Sequence, residues 1–126
     1  MFLQKGNSMT AERRQFSRYQ IKCDATIICD VGQLPVKLTE ISVEGVRAEM
    51  SKAPAIGTGA TITMVLEKEV IIRGVVLWAI EAGTAGLHYF QVGIETDSIQ
   101  MGEDIATGLG QRTHVIQEVL SFLKTG

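Results

Sequence analysis

The chain is poor in the residues that would make a disulfide scaffold or a metal centre. It has two cysteines, Cys23 and Cys29, and two histidines, His88 and His114, in 126 residues. No C-x-x-C pair occurs, and the histidines lack neighbours at ligand spacing, so no metal site is expected. The cysteines are six positions apart in what reads as one extended segment. At about 3.3 Å per residue that separates them by roughly 20 Å, too far for a bridge within the strand. They are expected to be free core thiols. Long apolar runs are also missing. The most apolar stretch, "VIIRGVVLWAI" (Val70 to Ile80), is too short and too interrupted to span a bilayer. The start, "MFLQKGNSMT", lacks the apolar core of a secretory signal. Membrane insertion is therefore not expected, and the implied address is cytoplasmic.

Enzyme signatures are absent as well. There is no G-x-S-x-G, H-E-x-x-H or P-loop pattern, and the carboxylates are scattered singly on polar strand faces. The expectation is a protein with no catalytic residues and no cofactor.

What is present suits one folded domain: 45% hydrophobic and 21% charged residues at a net charge of −2. That charge is unevenly spread. Residues 1–22 carry five basic groups against one acid, a net of +4, and the remaining 104 carry seven against thirteen, a net of −6. An acidic body with a basic arm argues against a nucleic-acid binder, which needs a broad basic face. It leaves a solvated tail or a grip on a small anion as readings of "RRQFSR" (Arg13 to Arg18).

From Tyr19 onward the pattern has period two. In "YQIKCDATIICD" the odd positions are apolar or aromatic and the even ones mostly polar until Ile28, as in a strand with one buried face. Similar strands are read around Val36 to Ile41, Val46 to Met50, Ala60 to Leu66, Val70 to Ile80 and Leu87 to Glu95. Short turns and loops separate them, among them the Pro54–Gly57–Gly59 loop and the "EAGTAG" break. Six strands without interleaved helices predict an all-β fold, an antiparallel barrel that leaves no open edges. In "QRTHVIQEVLSFLK" the apolar residues Val115, Ile116, Val119, Leu120 and Leu123 recur at helical spacing. A C-terminal helix covering its own barrel is predicted. The expected division is a flexible arm over 1–18, a barrel over 19–97 and a helical segment over 98–126, with 99–110 open between short helix and loop. His88 reads as a packed or rim histidine.

Two stretches carry binding chemistry. Arg14 and Arg18, four apart, fall on one side of the chain in either a helix or a strand, with Arg13 on another side. The guanidinium fork makes paired hydrogen bonds to phosphate and to the O6/N7 edge of guanine. "EISVEGVR" joins two strands. Ser42 supplies turn chemistry, Gly45 permits a positive φ or a close backbone approach, Glu40 is an acceptor suited to guanine N1 and N2, and Arg47 complements charge. A plain β-turn with polar decoration is the other reading of this stretch.

In order and spacing, "RQFSR" followed about twenty residues later by "EISVEG" resembles the PilZ domain signature, R-x-x-x-R and then [D/N]-x-S-x-x-G. "RGVVLW" and "VGIE" are similar to that family's last strands, and the resemblance runs from about Arg13 to Glu95. It implies a six-stranded antiparallel PilZ-type β-barrel with a C-terminal helix that binds the bacterial second messenger cyclic di-GMP and signals to a separate, unidentified effector protein. Carried over by position, Arg14 and Arg18 would hold phosphate and guanine. Glu40, Ser42 and Gly45 would line the barrel side, with Arg47 at a position often basic in binders. Trp78 would stack on a base or sit in the core. Arg13 resembles the extra arginine of members that take an intercalated ligand dimer. The arm is expected to fold over the nucleotide. The departure is Glu40, one methylene longer than the family's Asp or Asn. The alternative is a PilZ-like adaptor that binds no nucleotide and acts through protein contacts.

Overall fold

In the computed structural model, which describes residues 16–83 and 85–125, the alternating segments form antiparallel strands. They are β1 (Tyr19–Cys29), β2 (Gly32–Ile41), β3 (Gly45–Met50), β4 (Gly59–Val65), β5 (Glu69–Ala82), β6 (Tyr89–Met101) and β7 (Asp104–Ala106). Helix α1 spans Leu109–Thr125. The strand order is β3-β2-β1-β4-β5-β6-β7, and β3 also pairs with β6. Six strands thus close into the expected ring, with β7 attached to the far half of β6. The β1–β4 seam is paired only over Thr26 to Ile28, so the edge of β1 before it stays open among the described residues, unlike the edgeless barrel expected.

The period-two pattern explains the interior. Ile27, Leu38, Ile62, Ile72 and Val92 are fully buried inward positions on five different strands. Burying each such side chain contributes about 1.5–3 kcal/mol before entropy is counted. The helix closes one side: Val115, Ile116 and Val119 join the same core, and Leu120 and Leu123 pack partly against it. At the helix start, Gln111 Oε1 accepts the backbone N–H groups of Thr107 and Gly108, each at 3.2 Å, satisfying donors that have no helical partner.

Three expectations change. The last strand begins at Tyr89 and runs on to Met101, past the boundary placed at 97, and 104–106 forms a seventh strand rather than a helix or an unstructured loop. The polar run Thr96 to Ser98 masks the period, yet Ile99 and Met101 still point inward, and Gly102, at φ 62°, makes the turn to β7. Cys23 is buried, but Cys29 is only half-buried, because it pairs with Gly32 at the hairpin end of β1. His88 is an exposed rim residue, its Nδ1 3.4 Å from Glu81 Oε2.

Candidate functional site

Strand register assembles the site. Gln20 on β1 pairs with Glu40 on β2, Glu40 with Arg47 on β3, Arg47 with Gly93 on β6, and Gly93 with Trp78 on β5. Five residues far apart in sequence therefore form one row across five adjacent strands. Arg18, two residues before Gln20, reaches the same row. Arg18, the Glu40, Arg47, Gly93 and Trp78 members of the row and the β2–β3 turn surround a cleft of about 270 Å³, with Gln20 behind Glu40.

The row is held from the centre. Gln20 Nε2 donates to Glu40 Oε1 at 2.9 Å. The other carboxylate oxygen lies 4.0 Å from Arg18 Nη1 and 3.9 Å from Arg47 Nη2. Those separations are ion-pair contacts rather than hydrogen bonds, so they leave guanidinium donors uncommitted. Arg47 Nε is buried without a hydrogen-bond partner among the described residues. Burial gives such a donor a strong preference for an acceptor. The Glu40 side chain is 14% exposed, against 42% for Arg18 and 36% for Arg47, so the acid is held beneath two accessible cations.

Trp78 forms the opposite wall. The Arg47 guanidinium carbon stands 5.8 Å from the indole centroid, within cation–π range. The indole lies against Gly93, where any Cβ would collide with its ring atoms. A glycine facing a tryptophan across two strands leaves the ring half-exposed at the cleft rather than sunk in the core.

The turn has its own logic. The Ser42 hydroxyl accepts the N–H groups of Glu44 and Gly45, each at 3.2 Å, and donates to the Gly45 carbonyl at 3.3 Å. Its bonding capacity is spent on the turn, and Ser42 is buried. Gly45 does not need a positive φ. A Cβ there would collide with the Ile94 carbonyl, so its bareness lets β3 close on β6. The Glu44 carbonyl accepts the Thr96 N–H at 2.8 Å, which fixes the turn to β6.

Of the residues expected from sequence, Arg18, Glu40, Ser42, Gly45, Arg47 and Trp78 all line this cleft. Arg13 and Arg14 lie outside the described residues. Sequence reasoning missed Gln20, which anchors Glu40, and Gly93, which seats Trp78. A period-two pattern shows which face a residue takes but not which residue it meets. A tryptophan-bearing strand followed by a glycine-bearing one was the available signal for Gly93.

The PilZ domain family profile matches residues 12–109. With most of the sequence matched over this fold, the chain belongs to the PilZ domain family. No curated protein sequence matches it. Among solved structures, a K. pneumonia MrkH–c-di-GMP complex is similar at TM-score 0.61 and 17% identity, covering 86% of this chain. K. pneumonia MrkH in its apo state is similar at TM-score 0.59 and 13% identity, over the same share. This chain spans about half the length of those proteins, 52% and 50% respectively. At these identities the likeness establishes the fold. Among the described residues no helix is long and apolar enough to cross a membrane.

Proposed function

We propose that this chain is a cytoplasmic cyclic di-GMP receptor whose nucleotide sits on the Gln20–Glu40–Arg47–Gly93–Trp78 row and is gripped by the arginines of "RRQFSR". The carrying observation is the row itself. With Arg18 beside it, the row brings two guanidinium groups with free donors, the Glu40 carboxylate and one accessible indole to a single cleft in a PilZ domain. Arg18 and Arg47 meet phosphate or the guanine Hoogsteen edge, Glu40 accepts from guanine N1 and N2, and Trp78 stacks on a base. The c-di-GMP complex of the structurally similar MrkH supports the choice of ligand.

Charge explains why the arm is needed. The cleft is lined by two cations, Arg18 and Arg47, and three acids, Glu40, Glu44 and Glu95. A ligand with two phosphodiesters would meet a net negative wall without further positive charge. Arg13 and Arg14 supply it, Arg14 on the first copy of the nucleotide and Arg13 on a second, intercalated copy. Each charge-assisted hydrogen bond contributes roughly 1.5–3 kcal/mol, enough to offset ordering of a short arm. The ordered arm changes the surface seen by a separate effector protein. No catalytic step is assigned.

The contact of Glu40 with both arginines also favours a second reading, in which the acid neutralises them and the domain works as a nucleotide-free adaptor. Calorimetric titration of the full chain with cyclic di-GMP separates the two, with GTP and cyclic di-AMP as controls. Saturable heat with cyclic di-GMP alone, lost in Arg18→Ala and kept in Lys52→Ala, supports the receptor. No heat at tens of micromolar protein supports the adaptor. A ligand-to-protein ratio near two assigns Arg13 to a ligand dimer, and a ratio of one removes that role.

A further inference from the structure

We infer that the cleft between β1 and α1 is a docking groove for an extended, acidic segment of a partner protein, which pairs as an added strand with the open edge of β1. Among the described residues, β1 pairs along its length with β2 but meets β4 only over Thr26 to Ile28. Among those described residues the backbone of Tyr19 to Ala25 has no strand partner on that side, and such an edge is a template for strand addition. The register shift between Gln20 and Cys23 marks a bulge at the same place, where β1 departs from the regular ladder. Helix α1 does not fill the space: a cleft of about 720 Å³ remains between the two elements.

The lining selects the occupant. Tyr19, Ile21, Leu120 and Leu123 give an apolar floor of half-buried side chains, and Gln117 Nε2 reaches Tyr19 Oη at 3.4 Å across it. Arg18 and Lys22 are the charged residues of the rim, and no carboxylate lines the cleft among the described residues. A doubly positive groove on an acidic body complements a strand that alternates acidic and apolar side chains. The chain's own residues 1–15 carry Lys5, Arg13 and Arg14 against Glu12, the same sign as the rim, so charge selects a partner's acidic segment over them.

Arg18 lines both this groove and the nucleotide cleft. Resting on the receptor reading, this sharing gives a sign: a nucleotide phosphate that engages Arg18 removes one of the groove's two cations. Nucleotide and acidic strand then antagonise each other, and by linkage to the same degree in both directions. The domain would release its partner when the messenger binds.

The test uses ¹⁵N-labelled full-length protein and an acetylated, amidated peptide of alternating glutamate and valine, with the lysine–valine peptide as control. The glutamate peptide should shift and protect amides of Tyr19 to Lys22 and shift those of Gln117 to Leu123. The lysine peptide should do neither. Lys22→Glu should weaken the glutamate peptide about tenfold, a loss expected when a rim attraction becomes a repulsion, and leave cyclic di-GMP heat unchanged. Saturating cyclic di-GMP should weaken the peptide several-fold. Equal binding of both peptides, or no effect of Lys22→Glu, overturns the groove. Concentration-dependent shifts in the cleft without peptide would put a second copy there instead. Edge amides protected without peptide, and exposed on deleting residues 1–12, would put the chain's own N-terminus there. Both overturn the partner reading. If the peptide binds but cyclic di-GMP gives no heat, the receptor reading alone fails. If both bind without affecting each other, the antagonism fails.

Discussion

Glu40 Oε2 stands 3.9 Å from Arg47 Nη2, close enough to orient the guanidinium and too far to consume its donors. The same oxygen is 4.0 Å from Arg18, while Glu40 Oε1 is held by Gln20 at 2.9 Å. One acid therefore presets two cations, Arg47 on β3 and Arg18 just ahead of β1. This arrangement separates the stability role of Glu40 from its ligand role.

Glu40→Ala should cost little stability, about 1 kcal/mol, because a partly exposed ion pair and one exposed hydrogen bond contribute little. Cyclic di-GMP affinity should fall at least about tenfold, from loss of a charge-assisted acceptor and of the preset geometry. Urea denaturation alongside calorimetry checks both. A large stability loss with unchanged affinity would make Glu40 structural only.

Gly93→Ala should displace the only tryptophan. A Cβ at Gly93 would collide with the Trp78 ring, so the indole must rotate or the strands must part. The cost is about 1–3 kcal/mol, typical of overpacking. A shifted Trp78 emission maximum and weaker cyclic di-GMP binding should accompany it. An unchanged spectrum would mean that the indole does not rest on Gly93.

Gly45→Ala meets a harder obstacle, the Ile94 backbone carbonyl, which cannot rotate away. The β3–β6 seam that closes the ring should open locally, at a cost of about 1–3 kcal/mol or more. Faster amide exchange at Val46, Ala48 and Ile94 than in Gly59→Ala, where a Cβ meets nothing within 4 Å, is the expected signature.

The two cysteines should label in sequence. Burial, and secondarily the charge of Asp24, raises the Cys23 thiol above its ordinary range, disfavouring the reactive thiolate. Cys29 is half-buried at a hairpin end, so a disulfide reagent at pH 8 should modify it first. Cys23 should follow only as the fold opens. Equal rates would contradict the buried position of Cys23.

Much of this molecule is legible in its sequence because one-sided burial leaves a period-two trace. The trace is clear in β1, where polar Gln20, Lys22 and Asp24 alternate with inward Ile21 and Cys23. It fails at the end of β6, where Thr96, Asp97 and Ser98 are consecutive polar residues, yet Thr96 is buried. The site was legible as two motif halves, "RQFSR" and "EISVEG". How they join was not, because pairing register depends on turn geometry and bulges that the alternation does not encode. That is why Gln20 and Gly93 escaped notice, although each touches a residue singled out from the sequence.

The central claim is that the Gln20–Glu40–Arg47–Gly93–Trp78 row is the nucleotide site. Its most direct test is a cyclic di-GMP titration of ¹⁵N-labelled full-length protein followed by amide and indole resonances. Saturable shifts at Glu40, Gly45, Arg47, Gly93 and the Trp78 indole, weakening as salt rises, are predicted. Binding that leaves those resonances in place and moves others, or no binding, would contradict it.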